Sequence, residues 1–305
     1  MITSGFDYHA PGTVAEAIGL LTSLGDEAKI LAGGHSLLPM MKLRLAEPAH
    51  LIDLANIHEL RGIQSQGDVI RIGAMTTENE LINSPIIREK LPLLAEAARQ
   101  IADPQVRNRG TIGGDIAHAD PANDQPAIAM TLDATLVLQG ARGVRRVAAV
   151  DFFYGPYMTV MQSDELLVCL EMSPMPSGAG CAYRKLKRKT GDWATAGAAV
   201  VLQRSGDVIT KARIGLTNVA PTPLRATAAE QLLVGKTLSP DLINEVALQV
   251  RTICHPQEDL RGDVEYKTAM AGEMTKRAIS LAAARCSLSF MKNAKHQIKN
   301  LRGSL

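Results

Sequence analysis

The 305-residue chain is 46% hydrophobic and 21% charged, and 33 basic against 31 acidic side chains leave a formal net charge of +2. That balance suits a globular chain with apolar material for two or three cores; it excludes a disordered class and gives no electrostatic footprint for nucleic acid or a membrane surface. Cys169, Cys181, Cys254 and Cys286 lie far apart with no CxxC spacing, so no zinc site or protein-held iron–sulfur cluster is implied, and no run approaches the roughly 20 apolar residues of a membrane span.

Residues 1–17 show no basic region leading into a long apolar stretch, and the expected location is the cytoplasm. Thr13 to Glu16 has capping-box spacing, and Val14, Ala17, Ile18 and Leu21 recur at helical intervals, which predicts an amphipathic helix ending near Gly25. A strand over Lys29 to Ala32 runs into Gly33-Gly34-His35-Ser36. A helical turn through Met40 to Leu45 and a strand over His50 to Leu54 close a first α/β unit near residue 56.

An alternating strand over Asp68 to Ala74 opens the second unit, followed by a capping pattern at Thr77 to Glu80 and a helix launched at Ser84-Pro85, with proline in its favoured first position. A helix over Leu91 to Ile101 is expected to stop at Asp103-Pro104. A second glycine doublet, Gly113-Gly114, follows, and Asp164 to Met172 reads as a closing strand.

The stretch SPMPSGAG, residues 173–180, is the best linker in the chain. It divides the chain into residues 1–177, made of parts 1–56 and 57–177, and residues 178–290. Beyond it, three strands over Ala182–Arg188, Ala194–Arg204 and Val208–Val219 precede helices capped at Thr227 and Ser239 and a final helix from about Asp263 to Cys286. Strands followed by helices indicate an α+β domain. The tail, residues 291–305, carries Lys292, Lys295, Lys299 and Arg302 and no acid; it reads as a solvated or frayed end, or as a partner contact.

A backbone turning through glycine can aim successive N–H groups into one concavity, a nest for phosphate oxygens. Gly33-Gly34-His35-Ser36 has the residues for such a nest, with the Ser36 hydroxyl as an added donor, and the same residues equally describe a tight turn. Thr111-Ile112-Gly113-Gly114-Asp115 repeats the arrangement, and Asp124 in the polar stretch beyond it is a candidate acceptor for ribose hydroxyls. Two cradles suit the two phosphoryl groups of a dinucleotide. Neither segment matches GxGxxG, and no P-loop sequence occurs, which leaves a flavin or similar dinucleotide held by paired glycine loops.

AGGHSLLPMMKLRLA and RGTIGGDIAHADPANDQPA together resemble the two flavin loops of the FAD-binding medium subunits of molybdenum hydroxylases, within the larger fold family of the vanillyl-alcohol oxidases (PCMH type). FDYH, YRKLKRKTGD and IGLTNVAPTPL add to the resemblance, which is greatest to the medium subunits of aerobic carbon monoxide dehydrogenases and covers about residues 1–286. It implies an α+β chain: a two-part FAD-binding domain followed by a small α+β C-terminal domain with an antiparallel sheet.

The resemblance places the diphosphate between the loops, with binding roles for Ala32, Gly33, Gly34, His35, Ser36 and Leu37 and for Thr111, Gly114 and Asp115. It puts Asp124 at the nucleotide end, Ile101, Ala102 and Leu167 along the flavin, Lys185 within reach of the cofactor, and Trp193 near the ring system. For Lys185 the other reading is a solvated strand face, since five of residues 184–189 are basic; for Trp193 it is a core or interface residue. Asp115 departs from the asparagine of many relatives and brings a negative charge toward the diphosphate unless its side chain points away. His35 and His118 read as packing or hydrogen-bonding residues.

No catalytic triad, metal cluster or paired-carboxylate site is evident, so the difficult chemistry would belong to the cofactor. By resemblance, electrons leave a molybdenum cofactor on a large subunit, cross two [2Fe-2S] centres on a small subunit, and reach a terminal acceptor by way of FAD. That acceptor is a quinone in the carbon monoxide enzymes and NAD or oxygen elsewhere. The implied assembly is a dimer of heterotrimers, a heterohexamer. The alternatives are the medium subunit of a purine or N-heterocycle hydroxylase, a self-contained flavin oxidase, or a non-enzymatic dinucleotide-binding module.

Overall fold

The computed structural model describes residues 2–302, with side chains described as far as Cys286. The first unit runs β1 (Asp7–His9), α1 (Val14–Leu24), β2 (Ala28–Leu31), α2 (Leu37–Lys42) and β3 (His50–Asp53). Its three strands are parallel in the order β1-β3-β2, an arrangement that needs crossover connections, and α1 and α2 lie in them. Thr13 caps α1 by accepting from the Glu16 N–H, while the Glu16 carboxylate takes the Gly12 N–H at 2.8 Å, so only half of the expected capping box forms. Val14, Ala17, Ile18 and Leu21 are the buried stripe.

The second unit begins with the hairpin β4 (Ile63–Gln66) and β5 (Val69–Gly73). Six short helices follow: α3 (Glu78–Asn83), α4 (Pro85–Lys90), α5 (Pro92–Ala98), α6 (Pro104–Arg107), α7 (Ile112–His118) and α8 (Gln125–Thr131). The chain then returns through β6 (Thr135–Gly140), β7 (Gly143–Ala148), the small hairpin β8 (Phe153–Gly155) and β9 (Met158–Thr159), and β10 (Leu166–Met172). The main sheet is antiparallel in the order β4-β5-β10-β6-β7.

Two expectations need correction here. Asp103-Pro104 starts a helix: Asp103 Oδ1 accepts from the Gln105 and Val106 N–H groups at 2.8 and 3.0 Å, and Pro104 fills the first helical position, where a missing N–H costs nothing. The preceding helix has already ended at Ala98, and Ala102 takes a left-handed φ of 41° before α6 begins. The second glycine doublet is not a loop either. Thr111 caps α7, and Gly113 and Gly114 form its first turn.

In the third unit β11 (Gly180–Leu186), β12 (Ala196–Ser205), β13 (Val208–Thr217) and β14 (Leu224–Arg225) make an antiparallel sheet, followed by α9 (Thr227–Leu233), α10 (Pro240–Thr252) and α11 (Val264–Arg302). Ser239 caps α10 through the Leu242 N–H at 3.1 Å, whereas α9 is capped by the backbone of Ala226 with no side-chain bond, so Thr227 is its first residue and not its cap. Helix α11 lies across β11 and β12, burying Ala271, Met274, Ala278, Ile279 and Ala282. Its backbone continues past the expected end at Cys286; the side chains of the basic tail lie outside the described residues. The apolar core of the second unit includes Cys181, Tyr183 and Ala199 of the third, so the two units share one packed seam.

Candidate cofactor site

The two glycine segments lie against each other. A Cβ on Gly33 would fall 2.4 Å from the Arg109 carbonyl oxygen and 2.8 Å from Gly110 Cα, and one on Gly114 would fall 3.4 Å from Ala32 Cβ and 2.8 Å from Thr111 Oγ1. Gly113 is as tightly placed from behind, where a Cβ would meet Ala74 Cβ at 2.5 Å. Only residues without a side chain allow the chain ends to approach this closely. Gly34 turns the first segment with a left-handed φ of 78°.

Their backbone amides differ. In the second segment the N–H groups from Ile112 to Asp115 are satisfied: Ile112 by Thr76 O at 3.0 Å, Gly113 by Ala74 O at 2.9 Å, Gly114 by Thr111 Oγ1 at 3.1 Å and Asp115 by Thr111 O at 2.9 Å. In the first segment, the N–H groups of Gly33, Gly34, His35 and Ser36 meet no protein acceptor among the described residues. Gly33, Gly34 and Ser36 are half-buried and His35 is exposed, and four consecutive free donors around a left-handed glycine are the donor set that an anion nest requires. Of the two segments expected to offer backbone donors, only the first has them free.

Behind the second segment lies a buried polar cluster. Asp115 turns its carboxylate inward, where Oδ2 accepts the Gln125 N–H at 3.1 Å. Burial, then the charge of Asp124, pushes the Asp115 carboxyl up to about 8. Both oxygens of Asp124 are engaged: Oδ1 accepts from the Tyr183 hydroxyl and Oδ2 from Lys185 Nζ at 2.6 Å. The side chains of Lys185 and Asp124 are only 2% and 4% exposed, so Lys185 is not on a solvated strand face. Burial, then Asp124, holds the Tyr183 hydroxyl well above the usual phenol range.

Ile101 and Ala102 follow α5, their carbonyls held by Arg107 Nη1 at 2.7 and 3.4 Å. Leu167 is buried on β10 beside a bulge, in the core of the second unit. Trp193 stands apart on the β11–β12 connection, 49% exposed, with the Arg261 guanidinium 5.5 Å from its ring centroid. No hydrogen bond or ring contact joins it to the glycine segments among the described residues. His35 is exposed, and His118 packs against the Tyr157 ring at 5.1 Å, burial lowering it below the usual imidazole range.

Sequence reasoning passed over Tyr183, Lys187, Gln125 and Arg107 and read Glu78 only as part of a helix cap. Strand alternation was the available signal for two of them. Tyr183, Lys185 and Lys187 share one face of β11 and its extension, and the Lys185 and Lys187 ammonium groups both lie within 3.4 Å of the Gln100 carbonyl oxygen.

Residues 4–172 match the FAD binding domain in molybdopterin dehydrogenase, and residues 181–282 match the CO dehydrogenase flavoprotein C-terminal domain. The chain belongs to the FAD-binding medium subunits of the molybdenum hydroxylases. Among these medium subunits, the carbon monoxide dehydrogenase medium chain of Hydrogenophaga pseudoflava is 57% identical over 287 residues, 94% of this chain and 100% of that one. The nicotine 6-hydroxylase medium subunit of Paenarthrobacter nicotinovorans is 37% identical over 278 residues, 91% of this chain and 97% of that one. In three dimensions, carbon monoxide dehydrogenase from Hydrogenophaga pseudoflava matches with a TM-score of 0.93 at 59% identity, covering 94% of this chain and 100% of the other.

Medium subunits of this family are oxidoreductase components that bind FAD, and the residues present fit that cofactor: free amides for phosphate oxygens on a segment that glycines let pack directly against a second one. The fold is the expected α+β, two-domain one. Among the described residues no helix is long and apolar enough to cross a membrane.

Proposed function

We propose that the chain is the electron-transfer subunit of a carbon monoxide-oxidising molybdenum hydroxylase, holding the FAD diphosphate on the backbone of Gly33 to Ser36. The four free amides carry this reading. Ala32 and Leu37 flank the nest, and Thr111, Gly114 and Asp115 supply the segment packed against it; Ile101, Ala102 and Leu167 border the flavin. Asp124 and Lys185 act as a pair beneath the cofactor, and Trp193 covers the ring from the C-terminal domain. Residues 173–180 divide the two domains. Bound FAD supplies the ability to take up electrons singly and release them singly or in pairs.

The partners in this reading are a small subunit with [2Fe-2S] clusters and a large subunit with the molybdenum cofactor, assembled as a dimer of heterotrimers in the cytoplasm, with a quinone or other terminal acceptor. The 57% identity to one carbon monoxide dehydrogenase medium chain supports carbon monoxide over an N-heterocycle as the substrate of the large subunit. The test is isolation of the native complex, identification of its subunits, and reduction of its flavin by carbon monoxide and by heterocycles. Flavin bleached by carbon monoxide alone is the expected result. Bleaching by a heterocycle alone assigns a different large subunit, and a chain isolated without flavin or partners contradicts the proposal.

A further inference from the structure

Glu78 and Gln125 form a buried pair that the flavin assignment does not use. Glu78 is 2% exposed and Gln125 fully buried, and Gln125 Nε2 donates to Glu78 Oε2 at 2.7 Å. Each side chain keeps one oxygen, Glu78 Oε1 and Gln125 Oε1, buried and without a partner. Both groups are planar and already joined by one bond, and a hydrogen on Glu78 Oε1 is what the second bond of such a pair requires. An unmatched buried oxygen is destabilising, and a single proton would satisfy both.

We propose that Glu78 is a neutral carboxylic acid whose Oε1–H donates to Gln125 Oε1, closing a two-hydrogen-bond acid–amide clasp between the first turns of α3 and α8. The surroundings agree. Facing Glu78 are Asp115 from α7, Asp124 and Gln125 from the start of α8, and Arg107 from α6. Burial and then Asp115 raise the carboxyl well above the usual carboxylate range, against the opposing influence of Gln125 and Arg107. Arg107 makes no ion pair with Glu78 among the described residues, and its buried Nε is itself unpartnered.

The clasp sits where it can hold the second segment of the candidate cofactor site. The Glu78 backbone N–H donates to Gly110 O at 3.0 Å, and the Gln125 backbone N–H donates to Asp115 Oδ2 at 3.1 Å, so the two residues that the clasp joins hold both ends of the 110–115 segment through their main chain. Glu78 and Gln125 are therefore positioning residues.

Infrared difference spectra of the full chain, wild type against Glu78→Gln, test this directly. At neutral pH the wild type should show two neutral carboxylic acid C=O components, shifted in D2O: one from Asp115, which Asp115→Asn removes, and one from Glu78, which E78Q removes and Asp115→Asn retains. A second measurement follows melting temperature. Glutamine at 78 can close the same ring with its own N–H and carries no proton linkage, so E78Q should melt with the wild type at about pH 4, where the unfolded carboxyl is also protonated, and above it at neutral and alkaline pH, while Glu78→Leu melts lower than E78Q throughout. Absence of the Glu78 component, or an E78Q variant that melts as low as E78L, overturns the clasp. Neither readout involves FAD, so failure here leaves the flavin assignment untouched, and loss of that assignment leaves the clasp.

Discussion

Replacing Gly33 with alanine adds one methyl group at the point where the two glycine segments touch. That carbon would lie 2.4 Å from Arg109 O, 2.8 Å from Gly110 Cα and 2.9 Å from the Arg109 carbonyl carbon. All three are backbone atoms, so no side chain can rotate away, and an ordinary contact of 3.4 Å demands that the segments part by about 1.0 Å. Forced overpacking of this kind costs about 1–3 kcal/mol. A nest displaced by an ångström also loses the alignment of its amides with a phosphate oxygen, since hydrogen bonds weaken steeply off their preferred geometry. FAD titration by flavin fluorescence, with melting curves alongside, should show G33A lower in stability and at least tenfold weaker for FAD. Gly19→Ala is the control, because a Cβ there meets nothing within 4 Å inside α1, and the helix should gain about 1 kcal/mol. Wild-type FAD affinity in G33A would refute the packing argument.

Asp115 gives a pH-dependent expectation. Its carboxyl is raised from 3.8 to about 8 in the folded chain, so the fold binds a proton that the unfolded chain has released. That stability is fully present below the unfolded value and is lost as pH rises through the folded one, with a slope of up to about 1.4 kcal/mol per pH unit in between. Urea unfolding across pH 4–8 should show this decline, and D115N should flatten it; equal slopes would contradict the assignment. Lys185→Met strands Asp124 without its buried cation, which should cost about 3–5 kcal/mol, with recovery when Asp124→Asn is added; a single variant as stable as the wild type would show the pair to be dispensable. Trp193→Ala removes an exposed contact with Arg261 worth about 0.5–1 kcal/mol, so its melting temperature should hardly move while its flavin absorption envelope changes; an unchanged envelope would place Trp193 away from the ring.

Much of the frame was legible because it rests on local chemistry. Thr77 with Glu80, Ser84 with Pro85, and Ser239 with Pro240 are caps that a few residues specify, and each appears in the structure. Strands β1 and β4 were missed for a physical reason: β1 has only three residues, and β4 is an edge strand with an exposed polar face, so neither shows an apolar rhythm. Asp103-Pro104 was misread because proline ends one helix and begins the next with the same chemistry, and only the left-handed Ala102 decides between the two.

The glycine doublets show the same limit at the candidate site. Both are needed for close approach, yet whether an amide is free depends on partners distant in sequence. Ala74 and Thr76 consume the N–H groups of Gly113 and Ile112 from more than thirty residues away, and no local pattern announces it. The buried cluster is still less visible, since Asp124, just before α8, meets Tyr183 and Lys185 only when β11 folds back to the start of that helix.

Amide hydrogen exchange on the full chain, with and without FAD, tests the central claim most directly. The Gly33 to Ser36 amides should exchange freely without the cofactor and become protected when it binds, while Ile112 to Asp115 should be protected in both states. Protection arising at residues 112–115 on FAD binding, with residues 33–36 unchanged, would contradict the account.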